Sequence, residues 1–242
     1  MRFNGKELTG VHHAISIEKE IPPGTAARKL ETIETADGEI VTSERITAGE
    51  YVVRVNIVGK TAQEGWAVRE LLAGYAQIGG IGTAELVPTH RPQRCYDARL
   101  KSISDPEFAH GGAKVEMRFF LPRPVARSVS ESRETGAGQI RVRIGGTYEC
   151  RPAIIQTIDS ARDGLEITKN GIRILTLRGA LTPGQVVRMD VRGESLTIDG
   201  VHAEDRLDIE HTRWRAGWTP GTHEIVSSDG GALEMRWHEE WA

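Results

Sequence analysis

The sequence predicts a mainly β protein with a single helix, divided into two domains. Three observations carry that prediction. Apolar residues alternate with polar ones in several short runs, the pattern of half-buried strands. Asn-Gly or Asp-Gly pairs, which accept the positive φ angles of hairpin turns, occur at six places. A single segment breaks from alternation into helical spacing. Many strands joined by turns at short intervals point to sandwiches or barrels. The length of 242 residues suits one or two domains at roughly 150 residues each.

The elements follow in chain order. Asn4-Gly5 and Asp37-Gly38 mark early turns, and Tyr51, Val53, Val55 and Ile57 alternate along a strand at 51–58. Thr61-Ala62-Gln63-Glu64 has the spacing of a capping box. After it, Val68, Leu71, Leu72, Tyr75 and Ile78 fall on one helix face, and Gly79-Gly80 stops the helix, which spans 62–77. Gly80-Ile81-Gly82 turns into a strand at 84–87. Phe119-Phe120-Leu121 ends another strand, and Leu121-Pro122-Arg123-Pro124 holds the backbone extended. Residues 126–138 are small and polar, as linkers are, and set a domain boundary near 133, giving domains 1–133 and 134–242. Gln139–Ile144 alternates strictly. Asn170-Gly171 joins 165–168 to 172–174, Asp199-Gly200 follows 195–198, and Leu233, Met235 and Trp237 alternate in a last strand.

Composition excludes several classes. With 31 basic and 34 acidic residues the formal net charge is −3, which lacks the basic footprint of an obligate nucleic-acid partner. Cys95 and Cys150 cannot build a disulfide framework or a four-cysteine metal site. No run approaches the ~20 apolar residues of a membrane span, and the start Met1-Arg2-Phe3-Asn4-Gly5 has no apolar signal core. The expectation is a soluble product of a cytoplasm that needs no membrane.

The search for chemistry yields no catalytic, cofactor or metal assignment. Gly59-Lys60-Thr61 ends like a phosphate loop, but Arg54 stands where the first glycine must be, so the threonine reads as a helix cap. Gly80-Ile81-Gly82 lacks the third glycine of a dinucleotide fingerprint and follows a helix instead of opening one. The eight histidines form no metal-binding pair, there is no Gly-x-Ser-x-Gly, and Glu204-Asp205 and Asp208–Glu210 read as a solvated polar loop. Tryptophan is more informative: Trp214, Trp218, Trp237 and Trp241 cluster near the end. Indole faces can stack on sugars, so Trp214 and Trp218 are candidate carbohydrate contacts, against core packing as the alternative.

Several segments together resemble the distal tail proteins, or tail-tip hubs, of long non-contractile-tailed phages. Phe3-Asn4-Gly5 is similar to the family's start. The helix after Thr61 sits where that family has its helix, and Phe119–Pro124 resembles the close of its first domain. Gly145-Gly146-Thr147 with Pro152-Ala153-Ile154, Leu175–Gly184, and Trp218-Thr219-Pro220-Gly221 resemble segments of its second domain, with His223 in the place of an Asn. The resemblance implies a β-sandwich with one helix that closes into a homo-hexameric ring, then a galectin-like β-sandwich outside it. It also implies a non-enzymatic structural protein of the virion tail tip, made in the host cytoplasm. The ring would join the tail tube protein to the tail-associated lysin or fibre hub, anchor receptor-binding or baseplate proteins, and pass DNA without gripping it. The competing reading is a carbohydrate-binding module in the galectin-like half. There, His211-Thr212-Arg213-Trp214-Arg215 lacks the Asn of a galectin sugar site.

Overall fold

The computed structural model describes residues 1–24, 28–35, 38–59, 61–109, 111–213 and 217–242. The chain forms two compact units, Met1–Val129 and Ser130–Trp241.

The first unit contains β1 (Arg2–Phe3), β2 (Lys6–Glu7), β3 (Ile15–Ile21), β4 (Arg28–Thr35), β5 (Gly38–Ile46), β6 (Gly49–Ile57), α1 (Ala62–Tyr75), β7 (Ala84–Val87), β8 (Arg94–Ile103), β9 (Glu107–Ala109), β10 (Gly112–Leu121) and β11 (Ala126–Ser128). Its strands run in the order β2-β1-β7-β8-β10-β6-β3, with β9 beside β10 and β11 beside β8. The long β8 serves three partners: its start pairs with β11 at Arg94 and Cys95, its middle with β7 at 96–98 and its end with β10 at 99–103. The sheet folds over at that strand, so Phe3 of β1 meets Phe119 of β10 with ring centroids 5.0 Å apart. Alternation predicts β6 well: Tyr51, Val53, Val55 and Ile57 are all buried.

Helix α1 begins as its sequence demands. Glu64 N–H donates to Thr61 Oγ1 at 3.2 Å, and Thr61 N–H donates to the Glu64 carboxylate at 3.3 Å, satisfying amide donors that the helix itself leaves free. Its inner face is Gly65, Val68, Leu72 and Tyr75. Leu71, expected on that face, is 49% exposed, because the true stripe follows i, i+3, i+7, i+10 from Gly65. Gly65 lets the helix approach closely: a Cβ there would lie 2.7 Å from Phe108 Cε1. Tyr75 ties the other end down, its hydroxyl accepting from Phe3 N–H and donating to the Lys6 carbonyl.

The second unit contains β12 (Ser132–Ala137), β13 (Gln139–Ile144), β14 (Ala153–Thr157), β15 (Arg162–Lys169), β16 (Ile172–Leu181), β17 (Val186–Asp190), β18 (Ser195–Ile198), β19 (Val201–His202), β20 (Gly221–Ser227), β21 (Ala232–Trp237) and β22 (Glu240–Trp241). A sheet β12-β21-β14-β17-β18-β19 faces a sheet β13-β20-β15-β16. Between them lie Ile140, Val142, Leu165, Ile167 and Ile225 from one layer and Ile154, Met189, Leu196, Leu233 and Met235 from the other. This is an antiparallel β-sandwich.

Two expectations are corrected here. The stretch 126–138, read as a linker, forms β11 and β12; Ser132–Ala137 pairs in full with Ala232–Trp237. Its small polar residues suit an edge strand, which composition alone cannot tell from a linker. At Gly138 (φ +66°) the chain then crosses from one sheet to the other, and a Cβ there would meet the Asp229 carbonyl at 2.9 Å. Among the Gly turns, Asn4-Gly5, Asn170-Gly171 and Asp199-Gly200 have positive φ at both residues, whereas Asp163-Gly164 is a bulge inside β15. The backbone of Asp229-Gly230 stays at negative φ, and Asp37 lies outside the described residues.

Candidate assembly surfaces

In the first unit the most unusual element is the hairpin of β4 and β5. Arg28↔Ile46 to Thr35↔Gly38 pair antiparallel, and this two-stranded sheet joins no other strand among the described residues. It continues β3 and β6, which do pair with each other. Eight residues in a strand reach ~27 Å at 3.4 Å each. A lone two-stranded hairpin is marginal in water, and both its outer edges carry backbone groups open to a partner. Within this stretch sequence reasoning marked only a turn at Asp37-Gly38, and Asp37 lies outside the described residues.

The base of that arm is held by polar contacts around Glu20. Tyr51 Oη donates to the Glu20 carboxylate at 2.7 Å, Thr89 N–H donates at 3.1 Å, and His90 Nδ1 lies 3.4 Å away. Burial alone would raise the Glu20 pKa, but the bonds from Thr89 and Tyr51 outweigh it and hold the carboxyl below its ordinary range. The solvent face of β3, β6, β8 and β10 carries ion pairs in which four cations share three carboxylates: Arg54–Glu116 (3.1 Å), Arg118–Glu116 (2.7 Å), Lys101–Glu50 (2.5 Å) and Lys114–Glu18 (2.8 Å). Lys101 is the main reason that Glu50 stays below the usual carboxylate range, and Arg54 does the same for Glu116.

Beside α1 lies a largely apolar groove of about 1140 Å³, lined by Val58, Ala62, Leu71 and Phe108 together with Thr61, Glu64, His12 and His13. Val58 is 67% exposed and Phe108 48%. Ile81, in the Gly-rich turn after the helix, is fully exposed.

In the second unit only one of the two predicted carbohydrate contacts lies among the described residues. Trp214 lies outside the described residues. Trp218 is a core residue, 2% exposed, with Lys169 Nζ 4.7 Å from its ring centroid and His223 edge-on at 6.1 Å. A buried indole offers a sugar no face, which corrects the expectation for Trp218. Its tight turn, Trp218-Thr219-Pro220-Gly221, is closed by His223. Nε2 donates to the Thr219 carbonyl at 2.7 Å, and Nδ1 accepts from the Asn170 amide at 3.3 Å. Lys169, buried beside them, donates to the Gly217 carbonyl at 2.7 Å; burial pulls its pKa down.

The acidic stretch read as a solvated loop is exposed at Asp205 and Glu210 but is corrected at Asp208, which is buried. Residues 203–213 run along the outer edge of β16 and cover it. Arg206 donates to the carbonyls of Arg178 and Ala180, Asp208 N–H to Thr176, and Arg213 N–H to Ile174. Asp208 is 7% exposed and paired with Arg178 at 2.5 Å and His211 at 3.0 Å. Covering an edge in this way prevents unwanted strand pairing. Asp208, Glu210 and His211 are the grouping of potential metal ligands among the described residues, but the Asp208 carboxylate is already engaged by Arg178.

Fold and surfaces define a two-unit β protein whose exposed features suit assembly with other chains. Residues 145–241 match the model of the siphovirus-type tail component, C-terminal domain. Among solved structures, the chain is similar to the Dit protein (gp 19.1) of phage SPP1, described as a paradigm of the hub of the adsorption apparatus in phages that infect Gram-positive hosts. The TM-score is 0.80 at 16% identity, covering 99% of this chain and 98% of that one. The likeness to the phage P2 baseplate in its activated conformation with Ca, at TM-score 0.44 and 10% identity over 93% and 90% of the chains, is too distant to carry weight. No curated protein matches in sequence. The chain is thus Dit-like in fold along its whole length, and residues 145–241 within its second unit are similar to the siphovirus-type tail component, C-terminal domain.

Proposed function

We propose that the chain is a structural subunit of the distal tail of a siphophage or prophage, resident at the virion tail tip. Six copies close a ring that joins the tail tube to a fibre or lysin hub and anchors receptor-binding proteins through the second unit. The observation that carries this reading is the tail-component domain at 145–241 within a chain that follows a phage hub protein over 99% of its length. A head-to-tail interface that closes on itself makes a ring, and it requires two different surfaces on one chain. The unpaired hairpin β4–β5 and the groove beside α1 supply candidates for them. No reaction is assigned, because catalysis lives in sites and the groups engaged here hold structure.

Size-exclusion chromatography with light scattering tests the reading. The expected species has the mass of six 26.6 kDa chains; a monomer at every concentration contradicts it. Deleting 28–46 should leave the chain folded by circular dichroism and abolish the oligomer.

A further inference from the structure

We infer that Asn4 is a site of spontaneous covalent modification: its side-chain amide cyclises on the Gly5 backbone nitrogen and hydrolyses, while the same dipeptide at Asn170-Gly171 is held intact by its neighbours.

The chain has three asparagines, and two of them precede glycine, whose lack of a side chain leaves its backbone nitrogen least obstructed. Asn4-Gly5 and Asn170-Gly171 form a natural comparison. Each is a two-residue loop that closes a hairpin, at Phe3↔Lys6 in one and Lys169↔Ile172 in the other. Their φ angles agree, +49° and +76° against +49° and +78°, and all four residues are exposed. A Cβ built at either glycine would meet nothing within 4 Å. Turn type and exposure therefore do not separate the two sites. Their side chains do. Asn170 Nδ2 donates to His223 Nδ1 at 3.3 Å, and Asn170 Oδ1 accepts from Glu224 N–H at 2.8 Å. No hydrogen bond holds the Asn4 side chain among the described residues; its main-chain N–H donates to the Glu85 carbonyl.

The reaction needs the Gly5 nitrogen to reach Asn4 Cγ. Flipping the one peptide unit between them converts a type I′ turn to type II′, and both types close hairpins. The flip carries the Asn4 ψ to about −120° and turns the Gly5 nitrogen toward the side chain. Tyr75 keeps its bonds to Phe3 and Lys6 throughout, so the strands hold their register. The nitrogen then attacks Cγ. A C–N bond forms, the Cγ–Nδ2 bond breaks, and Nδ2 leaves as ammonia with the proton of the Gly5 N–H. Water opens the cyclic imide at either carbonyl, giving aspartate or isoaspartate at position 4. At Asn170 the same closure must first break both side-chain hydrogen bonds. Each converted chain gains one negative charge beside β2, the last strand of its sheet. The isoaspartate product also adds a backbone atom to a two-residue turn, which works against the Phe3↔Lys6 pairing.

The test needs only the wild-type full-length chain. It is aged in warm, mildly alkaline buffer, folded in one arm and unfolded in urea in the other. Samples are digested with pepsin in acid, where the cyclisation does not run, and the mass gain of deamidation is followed at each asparagine. In the folded chain Asn4 should convert about tenfold faster than Asn170 or more, because two side-chain hydrogen bonds hold Asn170 back. In urea the two should convert at similar rates. If Asn170 keeps pace with Asn4 in the folded chain, the caging of Asn170 does not protect it and the inference is wrong. If Asn4 stays intact in the folded chain while urea-unfolded chains convert at both positions, the turn itself protects Asn4 and the inference is equally wrong. Neither result bears on the ring.

Discussion

Trp218 and Asp229 show what single residues do in the second unit. Trp218 fills the core between the sheets, so Trp218→Ala should destabilise the protein by about 3–5 kcal/mol in urea unfolding. A glycan array with the full chain should show no binding that depends on it. Asp229, 1% exposed, takes hydrogen bonds from Gln156 Nε2 (3.1 Å), Asp159 N–H (3.0 Å) and Gly231 N–H (2.9 Å) and pairs with Arg162 at 3.1 Å. Asp229→Ala leaves those donors without their acceptor and should cost about 3 kcal/mol or more. In the first unit, Glu20 has a folded pKa below its unfolded value, so its contribution is complete above the unfolded pKa and is lost as pH falls through the folded one. Glu20→Gln should therefore destabilise the chain at pH 7, and the gap to wild type should close as the pH falls through the folded pKa of Glu20; a gap that widens toward acid would contradict this. Residues were the least legible level in the sequence. Trp237 reads as core because it alternates with Met235 and Leu233, whereas Trp218, in an irregular turn, has no period to place it. Asp208 looked solvated for the same reason: its partner Arg178 is 30 residues away.

Elements were read from the sequence far better, because periodicity and turn chemistry are local. The capping box at Thr61 and Glu64 is present as spaced, and Thr61→Ala should cost about 1 kcal/mol of stability in thermal melts. The strands at 51–57, 139–144 and 232–237 follow their alternation. The failures have a common cause, which is tertiary context. Leu71 satisfies a helical spacing yet points outward, since Phe108 and Gly65 set the angle at which α1 meets the sheet. The stretch 126–138 has a linker's composition, and only its pairing with β21 makes it a strand. The β4–β5 hairpin was invisible as a unit because nothing in 28–46 says that its strands would pair with no others.

At the scale of the whole molecule, two β-rich units carry an arm that joins no other strand among the described residues, an open and largely apolar groove and an exposed Ile81 turn. The acidic segment of the second unit covers a sheet edge. The proposed function has such a chain completed by copies of itself. Negative-stain electron microscopy of the purified full-length protein tests it most directly. The account predicts six-fold rings with a central channel; a field of single particles without rotational symmetry would contradict it.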